Sequence, residues 1–328
     1  MRIPLSVLDL VPRGENVASG DAIRDSLALA TLVDRLGYTR LWYAEHHNMP
    51  NILSTTPEIM IALAGQVTHR IRVGSGGVML PNHAPFKVAE AFKMLEALYP
   101  GRVDLGLGRA PGTDQVTALA LRGSRQALET DEFPDKLAQL LAFGRNHMPE
   151  GHPFHTVKAE PADGDFPPIW MLGSSDYGAR MAAMLGVGFA FAAHFSDLPP
   201  EIPLRLYKDQ FDGPGAHAIL TLAVICAESQ EEADRQAASF LVAVAQNLTG
   251  KRVQLPSPEV AAQYPFSPRE RAIAEGFRAR LIAGTPATVR ERIEALVDRT
   301  GADEVMITTN TYGQAARLRS YELLADAF

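Results

Sequence analysis

Cysteine, long apolar runs and concentrated positive charge are all scarce in this sequence. Its 328 residues include one cysteine, Cys226, which excludes an internal disulfide, and the apolar run around it predicts a buried structural thiol. No apolar run approaches the roughly 20 residues that span a bilayer, and Asp9 comes too early for the apolar core of a signal peptide. The 31 basic residues are dispersed and outnumbered by 38 acidic ones, which argues against nucleic acid as a partner. We therefore expect a cytoplasmic protein that binds neither membranes nor nucleic acid.

Short apolar runs rich in β-branched or aromatic residues alternate with segments of helical periodicity. Thr56-Pro57 and Thr285-Pro286 each place a capping hydroxyl before a proline, as at the start of a helix. Gly37, Gly186 and Gly301 follow predicted helices and fit left-handed caps. Eight strands alternating with helices predict an α/β fold, a (β/α)8 TIM barrel, with a doubly wound open sheet as the alternative. The predicted strands cover residues 3–9, 39–44, 71–74, 102–107, 168–172, 188–193, 218–226 and 303–308.

Two segments are too long and too rich in proline and polar residues to be ordinary connections. They are residues 145–167 and residues 246–270, and neither can supply a core of its own. Long loops at the carboxyl-terminal face of a barrel commonly form lids or substrate walls. We therefore predict one domain, residues 1–328, with both segments as insertions at that face.

The most informative stretch is 71–112, where two successive predicted strands each end in a glycine-rich turn. Just upstream, another strand ends in Glu45-His46-His47. The carboxyl ends of the strands of a parallel barrel share one face, and enzymes of this fold place their chemistry there. The three neighbouring strand ends therefore predict an enzyme.

Two strand ends have the features of a phosphate site. The turn at 106–112 departs from a dinucleotide fingerprint at Pro111, but it offers backbone amides and the cation Arg109. The segment 173–177 opens a helix whose N-terminal N–H groups and two serine hydroxyls also suit an anion. A plain tight turn and simple helix capping are the alternatives. Taken together, the two ends favour a phosphate.

The pair His46-His47 predicts one histidine at the mouth of the barrel, because adjacent side chains in a strand point to opposite faces. A metal site would need ligands from other strand ends, with His83 and His194 as the nearest candidates. A single histidine that donates a proton is the simpler interpretation. The glycines within 74–77 would let a flat ligand lie against the backbone.

Four stretches together resemble the bacterial luciferase-like family of flavin-dependent monooxygenases, in its FMN-dependent oxidoreductase branch. The resemblance runs from about residue 3 to residue 325, and the combination of motifs makes it specific. The stretches are WYAEHHNMP, IRVGSGGVMLPNHAPFKVAEAFKMLEALYPGRVDLGLGRAPGTD, IWMLGSSDYGARMAAMLGVGFAFAAHF and GTPATVRERIEALVDRTGADEVMIT.

The resemblance implies a TIM barrel that binds FMN at the carboxyl ends of its strands. His46 matches the histidine that such enzymes use in the reaction, and Ser75-Gly76 matches their non-proline cis peptide under the flavin ring. Gly76 and Gly77 would support the ring, while the phosphate would be held by Arg109 and two serines. The expected cofactor-binding residues are Ser75, Gly76, Gly77, Arg109, Gly173, Ser174, Ser175 and Tyr177.

Two positions depart from luciferases proper. Ser174 stands where they have a glutamate, which changes the donors and acceptors around the phosphate. Gly108 stands where they have a cysteine beside the flavin, which would leave more room near the ring. A luciferase acting on aldehydes is therefore not the expected activity.

The resemblance also implies a reaction. Reduced FMN, supplied as co-substrate by a separate flavin reductase, would react with O2 to a flavin C4a-hydroperoxide that oxidises a small organic substrate. The loop at 246–270 would close over the site, and a homodimer would form through the helices after the second and third strands. A deazaflavin-dependent oxidoreductase and a flavin-binding protein without turnover are the alternatives. The expected mouth residues are Met49, Met79, His83, Phe195, Tyr264 and Phe266.

Overall fold

A closed barrel of parallel strands forms the centre of the computed structural model, which describes residues 3–328. The strands are β1 (Leu5–Asp9), β2 (Arg40–Tyr43), β3 (Arg72–Met79), β4 (Val103–Gly108), β5 (Ile169–Gly173), β6 (Gly188–Ala192), β7 (Ala218–Cys226), β8 (Ile282–Gly284) and β9 (Glu304–Thr308). Eight of them follow one another in the order β6-β5-β4-β3-β2-β1-β9-β7, and β6 pairs with β7 to close the ring. The predicted (β/α)8 barrel is therefore confirmed, and the open-sheet alternative is wrong.

One strand was missed. β8 has only three residues and pairs with the carboxyl end of β7, where Ile282 lies opposite Val224, outside the ring of eight. A run this short carries no recognisable apolar pattern, so the sequence does not reveal it.

Helices connect successive strands around the outside of the barrel. They are α1 (Ser19–Leu36), α2 (Pro57–Val67), α3 (Pro85–Leu98), α4 (Gln115–Arg122), α5 (Arg125–Glu129), α6 (Phe133–Gly144), α7 (Asp176–Leu185), α8 (Glu201–Gln210), α9 (Gln230–Leu248), α10 (Pro258–Ala262), α11 (Pro268–Arg280), α12 (Pro286–Thr300) and α13 (Gln314–Ala327), with a 3-10 turn at Leu80–Asn82. Within the described residues, no helix combines the length and apolar character needed to cross a membrane.

The predicted helix ends are largely present. Gly37, Gly186 and Gly301 cap their helices with φ values of 83°, 65° and 66°, in the left-handed region that glycine tolerates. The side chain of Thr285 caps α12 by accepting a hydrogen bond from the amide three residues later. Thr56 precedes α2 as predicted, but across residues 3–328 its hydroxyl makes no capping bond.

Side chains that point into the barrel form layers. At the amino ends of the strands, Arg40 bonds to Asp104 (Nη1 to Oδ2, 2.8 Å) and to Glu304 (Nε to Oε1, 2.7 Å). Above this ion network lie Trp42 and Trp170, edge to face with ring centroids 5.4 Å apart. The polar network closes the amino end of the barrel, and the tryptophan layer fills its middle.

The two tryptophans fit because neighbouring inward positions carry no side chain. A Cβ at Gly74 would lie 2.9 Å from Trp42 Cδ1, and one at Gly188 would lie 2.4 Å from Trp170 Cε3. Gly106 is tighter still, since its Cβ would lie 2.1 Å from the carbonyl oxygen of a β3 residue. The backbones of β3 and β4 therefore approach more closely than side chains would allow.

A β-bulge interrupts the pairing of β3 with β4. Between regular pairings on either side, Gly76 and Gly77 together face Gly106. The non-proline cis peptide joins Gly76 to Gly77, so its prediction at Ser75-Gly76 was wrong by one residue. Ser75 still lies in the regular register, where its Oγ donates to the Gly106 carbonyl oxygen at 2.8 Å. The irregular backbone begins only at the next residue.

The two predicted insertions lie at opposite ends of the barrel. In the 246–270 segment, Leu255 bridges to the loop after β1, which places that segment at the carboxyl face as predicted. The 145–167 segment joins the end of α6 to the start of β5, so its placement at the carboxyl face was wrong. Because α6 has already returned to the amino end, the segment packs outside the barrel, where Lys93 Nζ donates to Ala159 O at 3.2 Å.

Cys226 is a buried free thiol, as predicted. Burial raises the pKa of this thiol to about 12, so it stays protonated at neutral pH.

We expect Gly106→Ala to lower the free energy of unfolding by about 1–3 kcal/mol, the usual cost of overpacking. The added methyl would lie 2.1 Å from the Ser75 carbonyl oxygen, which forces β3 and β4 apart. Urea unfolding followed by tryptophan fluorescence measures the change. Gly276→Ala in α11 is the control, because its Cβ would make only an ordinary contact with Arg280 Nη2 at 3.9 Å, and helix propensity should add up to about 1 kcal/mol. Equal stability changes in the two variants would contradict the close approach of β3 and β4.

Candidate active site

A cavity of about 200 Å³ opens at the carboxyl ends of the strands, above the tryptophan layer. The carboxyl ends of strands around the barrel contribute residues to this cavity, as expected for the active site of a (β/α)8 barrel. It is lined by Leu8, Leu10, His46, Gly76, Met79, Gly108, Arg109, Ala110, Gly112, Met171, Leu172, Gly173, Ser174, Ser175, Tyr177, Gly178, Ala190, Ala192, His194, Phe195, Thr221 and Met306.

Most of the predicted site residues meet at this cavity. Ser75 and Gly77 are the exceptions, because in the described structure neither lines it. Ser75 is buried and exchanges hydrogen bonds with the backbone of Gly106, and a Cβ at Gly77 would point at the same residue's carbonyl oxygen. Both lie behind the floor and hold β3 against β4. The predicted residues that do line the cavity are His46, Gly76, Arg109, Gly173, Ser174, Ser175 and Tyr177.

Arg109 follows β4 directly and stacks on Tyr177 of α7. Its Cζ lies 4.0 Å from the ring centroid, which fixes the direction of the guanidinium. The nearest acid is Asp131, at 3.5 Å from Nη1 to Oδ2, and both side chains are about half exposed. So long and exposed a pair is weak, and it leaves most of the guanidinium N–H groups available to an anion.

The start of α7 offers further donors. Ser175 occupies the N-cap position, yet its hydroxyl makes no capping bond within the described chain. By contrast, Ser229 and Ser257 cap their helices with side-chain bonds. The Ser175 hydroxyl and the first N–H groups of α7 thus remain available to a ligand. Ser174 is held from behind, where its carbonyl oxygen accepts from Ser196 Oγ at 2.8 Å. This geometry favours an anion over simple capping.

Gly76 and Gly108 form a patch of floor without side chains between β3 and β4. The room expected beside Gly108 is not empty, however. A Cβ at that position would lie 2.7 Å from Met79 Sδ, so the thioether of Met79 fills the space. The prediction of free space beside Gly108 was wrong because it considered β4 alone, without Met79 of the adjacent strand β3.

Two histidines face the cavity. His46 continues the inward series of β2 beyond Trp42, and His194 continues that of β6 beyond Ala192. The Nδ1 atom of each is buried without a hydrogen-bond partner among residues 3–328. Burial lowers the pKa of His46 to about 4 and that of His194 to about 3, with the nearby His46 lowering the latter further. Both imidazoles are therefore neutral at pH 7, and each offers one N–H and one bare nitrogen.

Glu45 and His47 point away from the cavity. The buried carboxylate of Glu45 accepts hydrogen bonds from His47 Nε2 (2.9 Å), His83 Nε2 (2.9 Å) and the Met79 amide (2.8 Å). Burial opposes its charge, yet these bonds lower the pKa of Glu45 to about 2. Burial likewise opposes the charge of His83, but the bond to Glu45 raises the His83 pKa. The cluster ties the ends of β2 and β3 together, so His83 is a partner of Glu45 rather than a mouth residue.

The mouth differs from the one predicted. Met79 and Phe195 line the cavity, whereas Met49, Tyr264 and Phe266 do not, as far as residues 3–328 show. The 246–270 loop lies beside the opening without contributing to its lining. Period-two alternation along the flanking strands is the signal that could have found the residues that were missed. These are Leu8, Leu10, Thr221 and Met306, and the same alternation points His194, which the sequence offered only as a metal-ligand candidate, into the cavity.

The donor set fits a flat ring with an anionic tail better than it fits a metal. No three histidine, cysteine, aspartate or glutamate side chains of the described residues converge on a metal position. Arg109 and Ser175 provide an anion end, Gly76 provides a flat floor, and His46 lies beside it. A wider groove of about 530 Å³ lies near α12, and none of the predicted site residues lines it.

Comparisons with known proteins identify the family of the chain. The family model for luciferase-like monooxygenases matches residues 4–304. A luciferase-like monooxygenase from Escherichia coli (strain K12) is 39% identical over 329 residues, covering 99% of this chain and 96% of that protein. The N-acetyl-S-alkylcysteine monooxygenase of Bacillus subtilis (strain 168) is 34% identical, covering 99% of this chain and 98% of that protein.

Solved structures share the barrel. Apo-MsnO8 is 36% identical with a TM-score of 0.87, covering 100% of this chain and 98% of that chain. At 17% identity, the oxygenating constituent of 3,6-diketocamphane monooxygenase from Pseudomonas putida, solved with FMN, has a TM-score of 0.72 over 99% of this chain and 97% of that chain. At 13% identity, an F420-dependent secondary alcohol dehydrogenase has a TM-score of 0.73 over 100% and 99%. The last two share the fold alone. With a family model over most of its length and two relatives above 30% identity, the chain belongs to the luciferase-like monooxygenase family.

Proposed function

We propose that this protein is a monooxygenase that uses reduced FMN and O2 to oxidise a small organic substrate. The observation that carries the proposal is one cavity with an anion end and a flat floor next to a neutral histidine. Arg109 and the uncommitted Ser175 hydroxyl lie at one end, and Gly76 with His46 lies further in. A phosphate monoester joined to a planar ring matches this arrangement of donors.

The residues of the chain would bind, orient and protect the flavin. Arg109, Ser174, Ser175 and the start of α7 hold the phosphate, and Gly76 lets the ring approach the backbone. Reduced FMN supplies the electrons and the oxygen-activating chemistry, by the route that the resemblance implies. Apolar side chains such as Leu8 and the buried tryptophan layer below exclude water from the ring.

His46 would manage the single proton of the reaction. Its pKa of about 4 makes the neutral imidazole the working form at pH 7. A neutral imidazole donates a hydrogen bond from one ring nitrogen and accepts a proton at the other. The resting His46 is therefore uncharged. It can hydrogen-bond to the reacting oxygen, and on accepting the proton at its bare ring nitrogen it becomes an imidazolium until it returns that proton.

The flavin is proposed as a co-substrate delivered by a separate reductase. The turn at 106–112 lacks a dinucleotide fingerprint because of Pro111, which supports a reductase that carries the nicotinamide chemistry elsewhere. The single cysteine supports a cytoplasmic location.

The homodimer is also a proposal, and its support is the surface of α2 and α3. Ile59, Met94 and Leu98 are each about 60% exposed and line one apolar groove between these helices. Apolar side chains grouped in this way are typical of protein–protein contacts.

Replacing Arg109 tests the phosphate assignment. Arg109→Gln should weaken the binding of reduced FMN by about 1.5–3 kcal/mol, the worth of a hydrogen bond to a charged group. An anaerobic titration followed by fluorescence of Trp42 and Trp170, beneath the cavity, measures the dissociation constant. Arg180→Gln is the control, because Arg180 pairs with Asp176 on the exposed side of α7. Equal affinity in both variants would place the phosphate elsewhere.

Tighter binding of F420 than of FMN by the wild type would support the deazaflavin alternative.

Replacing His46 tests the proton assignment. His46→Gln should keep FMN binding within a few-fold but lower oxygenation by about 10²-fold or more, the usual effect of losing an acid-base group. Substrate oxidation and hydrogen peroxide release are measured after reduced, FMN-loaded protein is mixed with oxygen. His147→Gln, at an exposed position beyond α6, is the control. Unchanged turnover in His46→Gln would end the assignment. No oxygenation by the wild type with any substrate would favour a flavin-binding protein without turnover.

Light scattering tests the dimer. We expect a mass of twice the 35.6 kDa chain, falling to the single chain in Ile59→Glu and Met94→Glu, because a buried unpaired carboxylate is costly. Met184→Glu, at an exposed apolar position on α7, should leave the dimer intact. A single-chain mass for the wild type would contradict the proposal.

A further inference from the structure

The cavity has two sides with different chemistry. In the ring order of the barrel, β9 lies opposite β4 and β1 lies opposite β5, while β2, β6 and β7 lie at the sides. The donors proposed to hold the phosphate follow β4 and β5, so the lining contributed by the other strands is left to the substrate. We call this lining the substrate wall and define it by Leu8, Leu10, His46, His194, Thr221 and Met306.

No charged side chain belongs to the substrate wall. Among the described residues that line the whole cavity, Arg109 is the only one with a fixed charge, and it lies at the phosphate end. Arg109 also has Asp131 as a neighbour at 3.5 Å. Once the phosphate is bound, the cavity holds no cation that remains free to compensate a second anion.

The histidines of the wall do not provide a cation at neutral pH. Burial lowers the pKa of His46 to about 4 and that of His194 to about 3. Behind His46, the fully buried carboxylate of Glu45 adds a negative charge, which repels an anion, although its bonds to His47 and His83 moderate this effect. An anionic substrate would thus lose its hydration without gaining a partner.

The wall is nevertheless able to form hydrogen bonds. His46 and His194 enter the cavity from different strands, and each has a buried Nδ1 without a partner in the described part of the chain. Thr221 adds a hydroxyl on β7, and the remaining members of the wall are aliphatic or thioether side chains. A neutral group that both donates and accepts, or a carbonyl oxygen, is the chemistry that such a surface recognises.

We propose that the substrate is an uncharged, largely apolar molecule that presents a hydrogen-bonding group to His46 and His194, and that this site discriminates against carboxylates. The inference rests on the proposed function, because the phosphate of FMN is what occupies Arg109. It also separates this chain from its relative named for N-acetyl-S-alkylcysteine, a compound with a free carboxyl group. His194, which enters from β6, is the second polar contact of the substrate.

Pairs of molecules with the same shape but different charge test the inference. The probes are N-acetyl-S-methylcysteine, hexanoic acid and benzoic acid, each compared with its primary amide at pH 7.5 on protein loaded with oxidised FMN. Dissociation constants come from the change in flavin fluorescence. We expect the amides to bind at least about tenfold more tightly, since an ionised carboxylate is far costlier to bury than an amide. Acids that bind as tightly as their amides would overturn the inference, and so would failure of every amide to bind.

Two variants at one position sharpen the test. His194→Gln keeps a neutral polar side chain, so the preference for the amides should persist. His194→Lys adds an ammonium group to the wall and should shift the ratio toward the acids by about tenfold or more, the gain from pairing a buried carboxylate. Loss of the preference in His194→Gln would mean that His194 does not act as a neutral contact, which would also overturn the inference.

A further comparison distinguishes this inference from the proposed function. In FMN-free Arg109→Gln protein the cavity has no fixed cation, so the amides should still be preferred, as read by ligand-detected NMR. If the protein does not bind FMN but this preference is present, the proposed cofactor is wrong and the uncharged wall stands. If FMN binds but the acids are preferred, only the inference fails.

Discussion

Two tryptophans inside an eight-stranded barrel are the constraint on which the cavity depends. A barrel of this size has an interior just wide enough for side chains to fill. Trp42 and Trp170 occupy its middle layer, so neighbouring inward positions must be small, as Gly74 and Gly188 are. The filled layer closes the barrel beneath the cavity, and small residues above it, Gly76 among them, form a floor that leaves the space open. The cavity therefore exists because the two indoles fill the middle of the barrel and small residues lie around and above them.

The alternation that builds the tryptophan layer also sorts the polar residues at the strand ends. It turns His46 toward the cavity and sends Glu45 and His47 behind it. Glu45 then joins the ends of β2 and β3 through His83 and the Met79 amide. These bonds hold the strand ends together outside the cavity, although the Glu45 carboxylate still lies behind His46. His46 is neutral because burial lowers its pKa to about 4, and the charge of Glu45 opposes that shift.

Local patterns predicted the barrel and most of the candidate site, because both depend on the order of residues along single strands. Apolar runs located eight strands, and the polar residues that follow them identified His46, Arg109 and Ser175. What failed depends on neighbouring strands or on the path of the chain in space. The cis peptide lies one residue later than predicted, since Ser75 keeps the regular register and bonds to Gly106, and Met79 fills the space beside Gly108 of β4. Both contacts depend on the register of neighbouring strands and on side-chain packing, which cannot be derived from a single sequence.

The barrel alone does not determine the cofactor. It is shared by a protein solved with FMN and by an F420-dependent dehydrogenase at 17% and 13% identity, so the choice must lie in the residues at the strand ends. In this chain those residues place one fixed cation, Arg109, beside a helix start whose N-cap hydroxyl is uncommitted. For the proposed flavin, a single charge at one end would favour one orientation, with the phosphate at Arg109 and the ring beside His46. Because the rest of the lining is uncharged, no second charged group would favour a different orientation of the proposed flavin.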